Sequence, residues 1–162
     1  MPRQPEEKIL SWTDLERKAA AWRESGKRIV TTNGCFDLLH WGHVKYLSRA
    51  RELGHVLVVG VNSDASVARL KGPTRPLQHE RERCLQLAGL EAVDHVAVFT
   101  DDTPENFLRA VRPHVHVKGA DYAGREIPET ALMRELGGEL AFVPLEPGFS
   151  TTALVDKILK TS

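Results

Sequence analysis

The sequence contains little that is typical of secreted, disulfide-stabilised or membrane-spanning proteins. Its 162 residues include only two cysteines, Cys35 and Cys84, which form neither a CxxC motif nor a disulfide framework. No apolar stretch approaches the roughly 20 residues that a membrane-spanning helix needs. The first eight residues also lack the apolar run of a signal peptide. We therefore expect a cytoplasmic protein that does not associate with membranes.

The sequence also lacks an excess of either charge. Lys plus Arg and Asp plus Glu balance at 22 each, which gives no global field for attracting nucleic acid or an anionic membrane. A hydrophobic content of 41% and a charged content of 27% are ordinary for a globular domain. Any anion must therefore be bound by a local arrangement of cations and N–H groups, and we expect no nucleic-acid partner.

Two common nucleotide-binding motifs are absent as well. A dinucleotide-dependent oxidoreductase needs a G-x-G-x-x-G after its first strand, and a P-loop enzyme needs G-x-x-x-x-G-K-[ST]; neither occurs. A phosphate site in this chain would have to use a different loop.

Alternating strand and helix patterns predict the fold. Short β-branched runs predict strands at about 28–32, 55–61, 94–99, 114–118 and 139–144, and helical patterns lie between them and after the last one. This order predicts an α/β, Rossmann-like doubly wound parallel sheet of about five strands with helices on both faces. We expect one domain over residues 28–162, preceded by a helical extension, residues 1–27, that packs on it. Ser11 is the expected N-cap of that extension's helix, and Gly26 its end.

Residues 31–43 are the most informative segment. A strand ending in Thr31-Thr32 breaks at Asn33-Gly34, which tolerates the positive φ of a tight turn, and a helical pattern begins at Gly42 with Val44, Leu47, Ala50 and Leu53 on one face. His40 and His43 therefore lie where a loop enters a helix. Such a junction presents free N–H groups and the positive end of the helix dipole, which suit a phosphate. The alternative is two ordinary histidines in a surface turn.

Other segments offer further cations and hydroxyls near predicted strand or helix ends. Each also has a structural interpretation: a solvated basic loop, a helix cap or a surface arginine. These candidates are Lys71 and Arg75 in the loop 70–76, Arg83 on the following helix, Asn62 and Asp64 after the second strand, Lys118 and Asp121 after the fourth, and Ser150, Thr151 and Thr152 before the last helix.

Together these segments resemble the heptose 1-phosphate adenylyltransferases, a branch of the cytidylyltransferase-like superfamily that also forms the second half of bifunctional ADP-heptose synthases. The resemblance runs from about Arg28 to the C-terminus. It is carried by the H-x-G-H of residues 40–43 and by the segments 32–39, 61–67, 70–76, 90–94, 102–104, 117–122 and 150–152. It implies transfer of AMP from ATP to D-glycero-D-manno-heptose 1-phosphate, which gives ADP-heptose and pyrophosphate, with Mg²⁺ on the ATP phosphates. The β anomer is usual where the product feeds lipopolysaccharide core synthesis.

The resemblance also implies roles for individual residues, without indicating any protein ligand to a metal. Catalytic roles fall to His40, His43 and Lys71. Nucleotide binding falls to Thr32, Asn33, Gly34, Cys35, Phe36, Gly42, Lys118, Gly119, Ser150, Thr151 and Thr152. Substrate binding falls to Asp37, Asn62, Asp64, Arg75, Arg83 and Asp121. The loop carrying Lys71 and Arg75 is expected to close as a lid over the triphosphate.

Partners follow from the same comparison. ATP and heptose 1-phosphate are the expected small-molecule substrates, a homodimer is possible, and a separate heptose 7-phosphate kinase is expected because no sugar-kinase domain is present. The chain departs from the family pattern at Ala120, where a second glycine is frequent, and at Pro128-Glu129, where bifunctional members commonly have Val-Gly or Ala-Gly.

Two alternatives remain. Residues 36–43 also resemble the glycerol-3-phosphate cytidylyltransferases, but those enzymes usually carry an Arg-Thr pair where this chain has Leu145-Glu146. A non-catalytic nucleotide sensor is the second alternative, although His40, His43, Lys71 and Arg75 are all present.

Overall fold

A five-stranded, all-parallel sheet forms the centre of the structure, a computed structural model that describes residues 1–162. The strands are β1 (Ile29–Gly34), β2 (Val56–Asn62), β3 (His95–Phe99), β4 (Val115–Gly119) and β5 (Glu139–Val143). Their order in the sheet is β3-β2-β1-β4-β5, so the predicted Rossmann-like fold is confirmed.

The expected helices are present, with small differences. Two short elements, a helix at Pro5–Lys8 and a 3₁₀ turn at Ala120–Tyr122, lie outside the expected pattern. The helix after β1 ends at Arg51, so Leu53 lies beyond it and is exposed rather than on its buried face. No helix has the length and apolar character needed to cross a membrane. The helices are α1 (Pro5–Lys8), α2 (Trp12–Glu24), α3 (Trp41–Arg51), α4 (Asp64–Lys71), α5 (Glu80–Ala88), α6 (Glu105–Val111), α7 (Pro128–Glu135) and α8 (Thr151–Lys160).

Apolar clusters cover both faces of the sheet. Alternate residues of a strand point to opposite faces, so Val30 joins one cluster and its neighbour Ile29 joins the other. The first cluster packs the sheet against α3 and α5, and the second packs it against α2, α6 and α7. Burial on both faces explains why the strands are β-branched runs without polar alternation.

The N-terminal residues pack on this sheet. Ser11 caps α2 by accepting a hydrogen bond from the backbone N–H of Asp14 at 3.2 Å, as expected. Leu15 and Ala19 of α2 are fully buried in the second cluster. The Lys8 ammonium, itself almost buried, donates to the carbonyl of Val93 at 2.9 Å. These contacts join the N-terminal extension and the rest of the chain in one core. The boundary between the extension and the domain at residue 27 stays a proposal.

The order in which strands are added to the sheet reverses between β1 and β4. β1 pairs in parallel with β2 on one side and with β4 on the other. The chain forms β2 and β3 toward one edge of the sheet, and then crosses back past β1 to form β4 and β5 toward the other edge. In such sheets the loops at the carboxyl ends of the two central strands separate and leave a crevice. The topology therefore places the loops after Gly34 and Gly119 around one opening.

We predict that Leu15→Ala lowers the free energy of unfolding by about 2–5 kcal/mol, because it leaves a cavity in a closed apolar cluster. Urea unfolding followed by circular dichroism measures the change. Leu70→Ala, which removes the same atoms from a side chain that is 52% exposed, is the matched control and should shift stability by no more than about 0.5 kcal/mol. Equal effects of the two substitutions would show that the extension does not stabilise the domain.

Candidate active site

A cavity of about 410 Å³ opens at the carboxyl ends of β1 and β4. It is lined by the loop after β1, the starts of α3 and α8, the end of α4, and the segments after β4 and β5. The lining residues are Asn33, Gly34, Cys35, Phe36, Asp37, His40, Gly42, His43, Tyr46, Lys71, Lys118, Gly119, Asp121, Tyr122, Leu145, Glu146, Phe149, Ser150, Thr151 and Thr152. The structure thus brings together all but five of the site residues expected from the sequence.

The two histidines stack at the start of α3. His40 is the N-cap residue and His43 lies in the first turn, with their ring centroids 3.8 Å apart. The backbone N–H of His40 donates to Nδ1 of His43 at 3.3 Å. Since Nδ1 is thereby an acceptor, the neutral ring carries its proton on Nε2. His43 is thus oriented as a hydrogen-bond donor through Nε2.

Burial keeps these imidazoles uncharged. It lowers the pKa of His43 to about 4, and repulsion from His40 and Lys71 acts in the same direction. Burial also lowers the pKa of His40. At neutral pH the pair consists of neutral donors, which can bind a phosphate oxygen without losing a proton to it.

Two glycines allow the loop to pack this tightly. A Cβ on Gly42 would lie 2.8 Å from Cε1 of His40, and a Cβ on Gly34 would lie 2.9 Å from the ring of Phe36. Phe36 itself adopts the left-handed region with φ of 49°, which is unfavourable for an aromatic residue. The rings of Phe36 and His43 pack edge to face, with their centroids 5.4 Å apart, so the strained loop supports His43.

Two lysine side chains line the cavity. Lys71 ends α4, and Lys118 lies near the end of β4. The Lys118 ammonium lies 3.5 Å from the carboxylate of Glu129 and 5.1 Å from the centre of the Tyr122 ring. Both lysines are point charges, which suit the non-bridging oxygens of a phosphate chain.

The start of α8 closes the cavity opposite α3. The hydroxyl of Ser150 accepts from the backbone N–H of Ala153 at 3.0 Å, so this residue is the N-cap. The Thr151 hydroxyl donates to the carbonyl of Leu38 at 3.3 Å. The first N–H groups of a helix have no intrahelical acceptor, so this end can bind an anion.

Asp37 anchors a loop rather than presenting its charge to the cavity. Its carboxylate is almost fully buried and accepts from the backbone N–H groups of Leu77 at 2.8 Å and Gln78 at 2.9 Å. The guanidinium of Arg75 lies 4.0 Å away. The two residues thus tie the loop after α4 to the loop after β1. Asp37 lines the cavity and Arg75 does not, and their expected substrate contacts stay a prediction. The residues directly after the expected lid, Leu77 and Gln78, are thus hydrogen-bonded to Asp37 in this structure.

Arg83 is the largest departure from expectation. It is fully buried and donates to the carbonyl of Gln78 at 3.0 Å, to the carbonyl of Cys35 at 2.6 Å and to the carboxylate of Asp64 at 2.9 Å. Its planar donors are directed at the protein, so Arg83 and Asp64 support the cavity wall from behind, and neither lines the cavity.

Thr32 and Asn62 also lie behind the cavity. The Thr32 hydroxyl donates to the carbonyl of Val117 at 3.0 Å, and the Asn62 amide donates to the hydroxyl of Ser66 at 2.9 Å. Both are buried, and their hydrogen bonds join secondary-structure elements. Neither residue lines the cavity, so their expected ligand contacts stay a prediction.

Sequence reasoning missed five lining residues: Tyr46, Tyr122, Leu145, Glu146 and Phe149. Tyr46 lies one turn after His43, a spacing that could have identified it. Its hydroxyl donates to the carbonyl of Val117 at 3.0 Å, and burial raises its pKa to about 12. Tyr122 and Phe149 are sequence neighbours of the expected site residues Asp121 and Ser150, whereas Leu145 and Glu146 follow β5 and reach the cavity because β5 pairs with β4.

The site contains neither a metal-binding cluster nor an activated nucleophile. No group of three or more His, Cys, Asp or Glu side chains is placed to hold a metal ion. Burial raises the pKa of the Cys35 thiol, which keeps it protonated at neutral pH. The arrangement is suited to binding and stabilising phosphate groups with donors and cations.

Comparisons with known proteins agree with this geometry. Residues 31–157 match the family model described as cytidylyltransferase-like. The chain is 52% identical over 153 residues to the bifunctional protein HldE of Nitrobacter hamburgensis, and 48% identical over 153 residues to that of Wolinella succinogenes. Each alignment covers 94% of this chain and 31% of the relative, so the chain spans about a third of the length of these relatives.

A solved structure is also similar. The crystal structure of the lipopolysaccharide core biosynthesis protein from Thermoplasma volcanium superposes with a TM-score of 0.62 at 30% sequence identity. The superposition covers 75% of this chain and 98% of that one.

We predict that His43 titrates near pH 4 in the folded protein, against about 6.5 in an unfolded chain. Between these values the unfolded state binds more protons, so this residue makes stability rise with pH from about 4 to 6.5 and fall on acidification. NMR of the imidazole Cε1–H signal, assigned with His43→Ala, measures the pKa. The urea-unfolded protein is the control, and a folded-state pKa of 6 or above would contradict the proposed burial.

Proposed function

The chain belongs to the cytidylyltransferase-like family, and we propose that within it the chain transfers AMP from ATP to D-glycero-D-manno-heptose 1-phosphate, releasing ADP-heptose and pyrophosphate. The observation that carries the proposal is the convergence of two neutral histidines, two lysines and a helix N-terminus on one cavity. These groups supply what a bound triphosphate requires, and the cavity volume is in the range of small-molecule sites.

The choice of substrate rests on similarity. The HldE relatives are bifunctional and about half identical to this chain over 94% of its length. The motifs noted in the sequence resemble the adenylyltransferase half of bifunctional ADP-heptose synthases. We also propose that a separate heptose 7-phosphate kinase supplies the phosphorylated sugar.

The proposed reaction is an in-line displacement. An oxygen of the sugar phosphate attacks the α-phosphorus of ATP, a new P–O bond forms, and the bond to the β-phosphate bridging oxygen breaks as pyrophosphate leaves. Charge builds up on the phosphoryl oxygens, so positioning and electrostatic stabilisation supply most of the catalysis. No covalent enzyme intermediate is required.

We assign the roles by position. His43 donates from Nε2 to the α-phosphate as its charge develops, and His40 and Lys71 bind the neighbouring phosphate oxygens. Lys118 and the first N–H groups of α8, at Thr151 and Thr152, hold the rest of the triphosphate. Mg²⁺ bound to the ATP phosphates would neutralise part of their charge. Asp37, Arg75, Asp64 and Arg83 position the loops that bear these groups.

Two alternatives are less well supported. Glycerol-3-phosphate cytidylyltransferases usually have an Arg-Thr pair where Leu145 and Glu146 line this cavity, and neither residue supplies a cation. A non-catalytic sensor would not need the intact histidine pair. We also propose a cytoplasmic location and a homodimer, for which the exposed Ile158 and Leu159 on α8 offer apolar surface.

We predict a higher kcat/KM for ATP with heptose 1-phosphate than for CTP with glycerol 3-phosphate. A site whose polar groups are left unpaired by a smaller ligand often rejects it by several orders of magnitude. Pyrophosphate release measures both pairs, with the two crossed pairs as controls. Equal or greater kcat/KM for CTP with glycerol 3-phosphate would overturn the heptose assignment while leaving nucleotidyl transfer intact.

We predict that His43→Ala lowers kcat about 10²–10³-fold, the usual cost of losing one preorganised donor at a developing oxyanion. The matched control is His55→Ala at the opposite end of the sheet, where Nδ1 of His55 accepts from the backbone N–H of Arg28. Near wild-type kcat in a folded His43→Ala variant would refute the role of this residue.

A further inference from the structure

The cavity contains carboxylates as well as cations, and one of them differs from the others. Asp37, Asp121 and Glu146 all line a space whose other charged groups suit phosphates. Asp37 is occupied by backbone N–H groups of the loop after α4. Glu146 lies on the segment between β5 and α8 and is held by a different kind of contact.

An arginine on α3 fixes Glu146. Nη2 of Arg49 donates to Oε1 of Glu146 at 2.7 Å, and Nη1 donates to the carbonyl of Pro144 at 2.8 Å. Arg49 follows His43 and Tyr46 at intervals of three residues, so the helix that presents the histidines also holds this carboxylate. Both partners are about three-quarters buried, with side-chain exposures of 31% for Arg49 and 24% for Glu146.

Only half of the Glu146 carboxylate is used. Its single hydrogen bond runs through Oε1, and Oε2 receives no donor from the chain. An ionised carboxylate accepts hydrogen bonds at both oxygens and cannot donate any. It repels a phosphate at this end of the cavity and can accept hydrogen bonds from the O–H or N–H groups of a ligand.

The neighbours of Glu146 suit an uncharged part of a substrate. Leu145, Phe149 and Tyr122 line the same cavity and are each partly exposed. Two of these side chains also adjoin the anion-binding groups, since the Phe149 ring lies 6.3 Å from that of His40 and the Tyr122 ring lies 5.1 Å from the Lys118 ammonium. The cavity therefore combines anion-binding groups with apolar surface and a fixed acceptor.

We propose that Glu146 is a specificity-determining residue that accepts hydrogen bonds from a vicinal diol of the bound substrate, with Arg49 as its positioning residue. A carboxylate oxygen pair matches two adjacent hydroxyls, as carboxylates do for ribose in dinucleotide-binding folds. This inference rests on the proposed function. The diol has two possible sources, the ribose of the nucleotide and the ring of the sugar 1-phosphate.

Paired ligand series distinguish these sources. The first series measures the affinity of ATP, 2′-deoxy-ATP and 3′-deoxy-ATP by calorimetry without acceptor. The second measures kcat/KM for heptose 1-phosphate and for analogues lacking one ring hydroxyl. Each series is run with wild type, Glu146→Gln and the control Glu139→Gln, which removes an exposed carboxylate paired with Arg28 at 2.6 Å, outside the cavity.

We expect wild type and Glu139→Gln to discriminate against the deoxy ligand by about 10- to 100-fold in one series, the usual strength of a hydrogen bond to a charged group. In Glu146→Gln that ratio should fall below about 3-fold. If the discrimination ratio falls in the ATP series, the diol belongs to the ribose. If it falls in the sugar series, the diol belongs to the sugar 1-phosphate. Ratios unchanged by Glu146→Gln in both series would overturn the proposal.

Further variants guard against a purely structural effect. Arg49→Met should reduce the same ratio, and Arg49→Lys should restore part of it, whereas a loss of stability alone would lower all affinities equally. Thermal unfolding identifies any variant that fails to fold, and Glu146→Asp then replaces Glu146→Gln. If no sugar 1-phosphate releases pyrophosphate, the proposed function fails. In that case the ATP series alone tests whether Glu146 binds a diol, and discrimination ratios that Glu146→Gln leaves unchanged in this series would overturn the proposal.

Discussion

The buried guanidinium of Arg83 is the interaction on which the geometry of the site depends. It joins the carbonyl of Cys35 in the loop after β1 to the carboxylate of Asp64 at the start of α4 and to the carbonyl of Gln78 before α5. A buried arginine is tolerated only when its donors are satisfied, and removal of one partner of such a pair typically costs about 3–5 kcal/mol. Three segments distant in sequence are thus held in a single arrangement.

Asp37 reinforces this arrangement from the other side of the loop. Because its carboxylate accepts from the backbone of Leu77 and Gln78, the loop after β1 is fixed by charged groups at both Cys35 and Asp37. The left-handed Phe36 between them is therefore held in a conformation that an isolated loop would avoid. The same loop then delivers His40 to the start of α3.

Helix α3 carries the site toward the far edge of the sheet. Its residues His43, Tyr46 and Arg49 share one face and contact, in turn, the cavity, the end of β4 and the segment after β5. The helix joins the phosphate-binding histidines to the segment that begins α8. A protein without net charge thereby gathers cations, neutral donors and one fixed acceptor in a single crevice.

Most of the fold and the centre of the site could be predicted from local sequence patterns. The β-branched runs and the helix entry at His40 depend on neighbours in the chain, so the strands, the parallel sheet and the histidine pair were predictable. The expected turn at Asn33-Gly34 was wrong, because both residues pair with β2 as the end of β1 and the positive φ falls on Phe36. The roles of Arg83 and Asp37 were not, because burial and hydrogen-bond partners are set by residues about 40 positions away or more, such as Cys35 and Leu77. The position of Glu146 likewise required β5 to pair with β4 and α3 to present Arg49. A polar side chain looks the same in a sequence whether it faces ligand or protein, and only the packing of distant segments decides which groups remain free to bind.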